Sequence, residues 1–140
     1  LVVRSSAISA ERAWLSADSR FLLSGYVKVG KKIESAITKF TPTFAPTWTL
    51  RVPSAGESLA ITAGKTSVAA VNSNAPVTSL IGWKPTKPSL LLIAFDSKGL
   101  ITAAKGSADL SAPLALTYSK ELGVFGLAKT PDGAVTLFKF

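Results

Sequence analysis

The sequence has no cysteine, no histidine, no methionine and no glutamine. Without cysteine the chain has no disulfide, no thiolate nucleophile and no cysteine-based metal site. Without histidine it has no Ser-His-Asp triad, no imidazole general base and few routes to a zinc site. We therefore expect a protein that is not an enzyme, with no catalytic residues, no metal and no cofactor, and no small-molecule substrate is evident.

Charged residues are also scarce, at 17% of the chain against about 25% in ordinary domains. The 16 Lys and Arg outnumber the 8 Asp and Glu, which gives a net charge of +8. Hydrophobic residues make up 47% of the 140 residues, which is enough to form a core in one domain of usual size. We expect a single domain over residues 1–140, in which residues 1–13 form either an N-terminal arm or an edge strand.

Long hydrophobic runs are absent as well. A membrane-spanning helix needs at least ~18 apolar residues, and the longest run, Leu90–Phe95, has the length of a strand. We therefore expect no membrane span. Because the chain contains no methionine, Leu1 is expected to follow a cleavage or to lie within a longer polypeptide.

Short runs rich in Val, Ile, Thr, Phe and Trp recur between Gly, Pro, Asn and Asp residues. This rhythm predicts an all-β, antiparallel sandwich. We favour a jelly roll over an immunoglobulin-like sandwich, although strand count alone does not give strand order. The candidate strands are 20–29 (with Gly25 as a bulge), 47–52, 58–63, 66–71, 77–83, 90–95, 100–104, 114–118, 123–128 and 134–140.

Residues Lys31–Phe40 fit two interpretations. Apolar residues at positions 33, 36, 37 and 40 have the spacing of one helix face, so a short helix near 31–40 is one alternative. The β-branched content of the segment weakens the helical interpretation, so the segment is ambiguous.

Turn residues separate the candidate strands. Gly64-Lys65 predicts a hairpin turn, and both Asp96–Gly99 and Thr130–Gly133 have turn composition. Asn72–Pro76 is a further turn cluster. Lys84–Pro88 must be a loop, because its two prolines cannot both belong to a hydrogen-bonded ladder.

The positive charge leans toward the N-terminal part of the chain, where residues 1–40 hold seven basic and three acidic residues. A basic face predicts contact with the phosphate backbone of nucleic acid, with RNA favoured. No base-reading motif is present, so binding would be sequence-independent; the alternative is a solvated face that keeps the protein soluble. The predicted contacts are Arg4, Arg12, Arg20, Lys28, Lys31, Lys32 and Lys39.

A second set of residues is predicted to form contacts between subunits. Trp48 lies on the apolar side of its strand and is expected in the core. Trp83 stands beside the lysines of the proline-rich loop and is the best candidate for an exposed aromatic contact. The final strand ends on an aromatic residue and could complete a sheet in this chain or in a neighbour. The predicted interface residues are Trp83, Lys84, Pro85, Lys87, Pro88, Phe138 and Phe140.

Together these features predict association rather than turnover. The first hypothesis is a self-assembling coat protein of viral capsid type, which would pack with copies of itself in a virion and contact nucleic acid through its basic face. The second is a subunit of an extracellular or cell-surface filament or adhesin that assembles by strand donation. The third is a subunit of an organellar ribonucleoprotein.

Overall fold

The structure is a computed structural model that describes residues 9–15, 21–54, 56, 58–74 and 83–140, with the main chain alone for 9–15. These residues form strands and turns, and none of them is helical, which confirms the all-β prediction. The strands are β1 (Ser9–Leu15), β2 (Phe21–Val29), β3 (Lys32–Phe40), β4 (Pro46–Pro53), β5 (Ser58–Ala63), β6 (Thr66–Ser73), β7 (Ser89–Phe95), β8 (Ile101–Ser107), β9 (Pro113–Ser119), β10 (Gly123–Lys129) and β11 (Val135–Lys139).

The strands form three antiparallel sheets, in each of which neighbours in space are neighbours in sequence. The first sheet has the order β1-β2-β3-β4, the central sheet β5-β6-β7-β8 and the third sheet β9-β10-β11. A jelly roll is built from Greek keys, which pair strands that are distant in sequence. The described strands show no such pair, so they give no support to the jelly roll favoured from the sequence.

The central sheet lies between the other two sheets and is covered on both faces. Its face toward the first sheet packs with three buried residues from β2, β3 and β4, namely Leu22, Ile37 and Val52. Its opposite face packs with buried residues of the third sheet, which are Val124, Ala128 and Phe138.

This double cover explains the burial of β7. All seven residues of Ser89–Phe95 are buried, because alternate side chains enter the two cores. Leu91 and Ile93 face the first sheet, whereas Leu90 and Leu92 face the third sheet. A strand buried on both faces has a continuous apolar run without alternation, as the sequence predicted for Leu90–Phe95.

β3 settles the ambiguity at residues 31–40 in favour of a strand, so the helical alternative was wrong. Lys32–Phe40 pairs with β2 on one side and with β4 on the other. Its last six residues are all buried, and on one face Thr38 exchanges a hydroxyl hydrogen bond of 2.9 Å with Thr49. Because both faces are buried, the apolar residues do not alternate, and their spacing imitates a helix face.

The main chains of the first and central sheets come close where β2 meets β5. The Ser24 hydroxyl donates to the carbonyl of Ser58, and the Ser58 hydroxyl donates to the carbonyl of Gly25, each at 3.3 Å. Small side chains permit this approach, and the reciprocal hydrogen bonds satisfy two buried hydroxyls. The bulge was expected at Gly25 in β2. The register shift lies instead in the neighbouring strand β1, between Ala10, which pairs with Gly25, and Arg12.

The turn predictions are largely confirmed. Two-residue and four-residue turns follow β5, β7 and β10, as expected from Gly64-Lys65, Asp96–Gly99 and Thr130–Gly133. The turn expected at 72–76 was wrong at its start, because β6 continues through Ser73. Residues 75–82, which include most of the strand expected at 77–83, lie outside the described residues, as do residues 1–8 of the expected arm.

Candidate nucleic-acid interface

Three of the predicted contact residues meet at the turn between β2 and β3. Val29 pairs with Lys32, so Gly30 and Lys31 form a two-residue turn, in which Gly30 has a φ of 63°. A positive φ at the first turn position suits glycine, since a β-carbon is disfavoured there. Lys28, Lys31 and Lys32 are all exposed, so a short hairpin presents three ammonium groups to solvent.

A groove with a volume of about 530 Å³ begins at this turn. The ends of β4 and β6 form its other wall, and its lining residues are Lys31, Lys32, Ile33, Glu34, Pro53, Ser54 and Asn74. Ser54 organises the wall: its hydroxyl donates to the carbonyl of Asn72 at 3.2 Å and accepts the N–H of Gly56 at 2.9 Å. The hydrogen bond from Ser54 to Asn72 therefore links the end of β4 in the first sheet to β6 in the central sheet at the wall of the groove.

The acidic residue of the groove is already paired with a cation. A carboxylate oxygen of Glu34 lies 2.7 Å from a guanidinium nitrogen of Arg51 on the neighbouring strand. A partly exposed pair of this kind contributes about 0–1 kcal/mol to stability, so its main effect is on the local charge. Glu34 is thereby neutralised by Arg51 and does not offset the charges of the neighbouring lysines Lys31 and Lys32.

The proline-rich loop brings further lysines to the same end of the sheets. Ser73 at the end of β6 pairs with Ser89 at the start of β7, so the loop that enters β7 lies near the groove wall formed by the end of β6. Lys84 and Lys87 in this loop are exposed. The loop predicted at Lys84–Pro88 is confirmed, and its charge adds to that of the β2–β3 turn.

The structure separates the other predicted contacts from this cluster. Lys39 is only 6% exposed, because it lies between Leu22 and Trp48 on the flanking strands. Its place on a solvent-facing basic surface was therefore wrong. Arg12 is in β1, of which the main chain alone is described, and Arg4 and Arg20 lie outside the described residues.

Three of the predicted interface residues turn inward. The six-membered ring of Trp83 lies over Gly106, and its side chain packs against the core between the first and central sheets. Phe138 is 8% exposed and, together with Phe140, packs between the central and third sheets. The exposure expected of Trp83 was wrong, because its ring is partly buried against Gly106. Lys84, Lys87 and Pro88 are exposed and Pro85 is half-buried, and the interface role of all seven residues stays a prediction.

No group of three or more acidic side chains that could hold a metal ion occurs in the part of the chain that the structure describes. The pKa of Asp132 is lowered, because its carboxylate accepts hydrogen bonds from the Thr130 hydroxyl and from the main chain at Ala134. These contacts hold a turn together. Within the described residues, no helix has the length and apolarity to cross a membrane.

Comparisons with family models, curated proteins and solved structures give no match to this chain. The functional argument therefore depends on the geometry of the lysine cluster. Sequence adjacency was enough to predict Lys28, Lys31 and Lys32 as one group. The Glu34–Arg51 pair was missed, because its partners are 17 positions apart and meet only through the β3–β4 register.

Proposed function

We propose that this chain is a non-catalytic structural subunit of coat-protein type, which assembles with copies of itself and contacts RNA through the lysine-rich end of its sheets. One observation carries the proposal: Lys31 and Lys32 line a groove in which Glu34 is paired with Arg51, and the exposed Lys28 lies beside the same turn. A polyanion that enters this groove meets two lysines, and the acidic residue among the described lining residues, Glu34, is already paired with Arg51.

The chemistry of the site suits a sequence-independent contact. Lysine ammonium groups are compact point charges on flexible stems, so they follow phosphates without fixing the geometry of a base. Their release of counterions from the nucleic acid would supply most of the binding free energy. The bases themselves would be left unread, because reading them requires hydrogen bonds to their edges.

Fluorescence anisotropy with a labelled single-stranded RNA of mixed sequence tests the proposal. The test variant replaces Lys28, Lys31 and Lys32 with alanine. The matched control replaces Lys65, Lys98 and Lys120, which are also exposed but lie in the β5–β6, β7–β8 and β9–β10 turns at the opposite ends of the strands. Both variants lose the same charge, so the comparison isolates position.

We expect the test variant to bind RNA at least about tenfold more weakly than the control at low salt. If all three lysines contact phosphates, the slope of log affinity against log salt falls by about 2, since each phosphate contact on a single strand contributes about 0.7. Equal losses in the two variants would contradict the proposal and leave the lysines as a solvated face.

One specific observation favours the filament as a second candidate. Strand donation requires an open sheet edge, and β11 is paired only with β10 in the part of the chain that the structure describes. Light scattering on native material, with the ratio of nucleic-acid to protein absorbance recorded before and after nuclease, separates the candidates. Particles with a nuclease-sensitive nucleic-acid spectrum support the coat protein, and fibres with a pure protein spectrum support the filament.

A further inference from the structure

In the part of the chain that the structure describes, β11 is an edge strand of the third sheet and pairs only with β10. The third sheet contains three strands, whereas the first and central sheets contain four. The N–H of Phe140 bonds to the carbonyl of Val124 in β10, and the carbonyl of Ala134 accepts the N–H of Thr130. Because main-chain groups alternate in direction along an antiparallel strand, those of Val135, Leu137 and Lys139 point away from β10 to the free edge.

The other sheet edges in the described residues each carry a feature that discourages strand pairing. β4 begins and ends with proline and exposes Arg51. β8 exposes Lys105 in its interior, and β9 begins with Pro113. β1 has a bulge, and β5 is hydrogen-bonded to β2 through Ser58. β11 has no proline, no register shift and no charge except Lys139 at its end.

Exposed apolar side chains line the outward face of this edge. Leu137 is 68% exposed, Val135 is 56% exposed, and Leu127, which pairs with Leu137, is 39% exposed. These three residues lie on the face of the third sheet opposite Phe138, which enters the core. An apolar stripe beside unpaired main-chain groups is the usual template for addition of another strand.

We propose that β11 pairs in antiparallel fashion with β11 of a second copy of this chain, about a two-fold axis at Leu137. The partner is a second copy because the strand is complementary to itself in this register. Leu137 lies opposite its own copy, and Lys139 lies opposite Val135, so no two lysines face each other. A register centred on Lys139 would place like charges in direct opposition, which is destabilising.

The paired edge would join two third sheets into one continuous sheet of six strands, three from each copy. The outward groups of Val135, Leu137 and Lys139 would gain hydrogen-bond partners, and the Leu137 side chains would cover one another. This inference does not depend on RNA binding, because the lysine cluster of the β2–β3 turn belongs to another sheet.

Sedimentation velocity of the full chain over a range of protein concentrations tests the pairing. We expect a reversible change from 14.6 kDa to twice this mass. Each copy carries a charge of +8, so raising the salt from about 0.05 M to about 0.5 M should strengthen the dimer by screening repulsion. Salt weakens RNA binding, so the two associations are distinguishable.

Leu137→Pro is the test variant, because it removes an N–H that points to the partner and not to β10. Leu127→Ser is the control, because it alters the same apolar face on a strand that is not at the edge. We expect Leu137→Pro to weaken the dimer at least about tenfold more than the control. A wild-type monomer at all concentrations, or equal effects of the two variants, would overturn the pairing.

Amide hydrogen exchange on the wild type gives a readout that does not depend on a variant. In the dimer, the amides of Leu137 and Lys139 should exchange more slowly than in the dilute monomer. Those of Thr136 and Phe138 point to β10 and should be protected in both states. Exchange at Leu137 that does not change with protein concentration would contradict the proposal.

Discussion

The indole ring of Trp83 fills the space beside Gly106 that a β-carbon would occupy. An atom built at that place would lie 1.5 Å from the Cζ3 of the ring, which is far inside any permitted contact. The ring thereby closes one end of the core between the first and central sheets. Trp48 does the same at the other end, where it lies against Gly99 and Phe95.

The first prediction concerns this contact. Gly106→Ala should displace the Trp83 ring and lower the free energy of unfolding by about 1–3 kcal/mol, the usual cost of an overpacked site. Urea denaturation followed by tryptophan fluorescence measures the loss. The cost should largely vanish in a Trp83→Ala background, since the ring is the group that the methyl meets. An equal cost in both backgrounds would show that the ring is not responsible.

The second prediction compares Ile93, a residue of the central sheet, with Leu100 in the β7–β8 turn. Ile93 is fully buried and Leu100 is 63% exposed. Ile93→Ala should lower the free energy of unfolding by about 2–5 kcal/mol, because it leaves a cavity between two sheets. Leu100→Ala should change it by no more than about 0.5 kcal/mol. Similar losses from both variants would contradict the placement of the core.

The third prediction concerns Trp48, whose indole N–H donates to the carbonyl of Ser97 at 2.9 Å. Trp48→Phe keeps an aromatic ring beside Phe95 but removes the donor. The loss should be about 1 kcal/mol, typical of one hydrogen bond, with a further loss from the smaller ring. Thermal unfolding measures it, and an unchanged melting temperature would contradict the role of the hydrogen bond.

The fourth prediction uses the neutralised acid of the groove. Glu34→Gln removes a negative charge that repels phosphate and frees the positive charge of Arg51. RNA affinity at low salt should therefore rise about two- to fivefold, the effect of one nearby unit charge in water. Glu121→Gln, in the β9–β10 turn at the other end of the strands, is the control. An equal gain from Glu121→Gln would indicate that net charge alone sets the affinity.

The fifth prediction follows from the lowered pKa of Asp132. A carboxylate whose pKa is lowered by folding stabilises the protein above its ordinary pKa of 3.8, and this stabilisation is lost as the pH falls through the lowered value. Wild type should therefore melt at a higher temperature than Asp132→Asn at about pH 7, with the difference shrinking as the pH falls below 3.8. A difference that is independent of pH would contradict this origin.

Local patterns predicted the parts of the fold that depend on local geometry. The alternation of Trp48, Leu50 and Val52 was correct for β4, and all three face the core. The turn at Gly64-Lys65 was correct because glycine there has a φ of 65°. β3 was ambiguous because burial on two faces removes the alternation from which a strand is normally identified.

The candidate site was predicted only where its residues are close in sequence. Lys39 was grouped with Lys31 and Lys32 by position along the chain, but a strand of nine residues carries it away from the turn and into the sheet. Trp83 was predicted to be exposed because lysines follow it in the sequence. In the structure its ring packs against Gly106 of β8 instead. Contacts of this kind depend on which distant strand supplies a glycine, and no local pattern contains that information.

The double cover of the central sheet also has a consequence during synthesis. All four strands of the central sheet have been synthesised once the chain reaches Ser107. The face that carries Leu90 and Leu92, however, packs against Ala128 and Phe138, which are synthesised later. Domains fold as units as they emerge. A nascent or truncated chain ending near Ser107 would therefore present a bare aliphatic surface, and it should require chaperone protection that the longer polypeptide does not need.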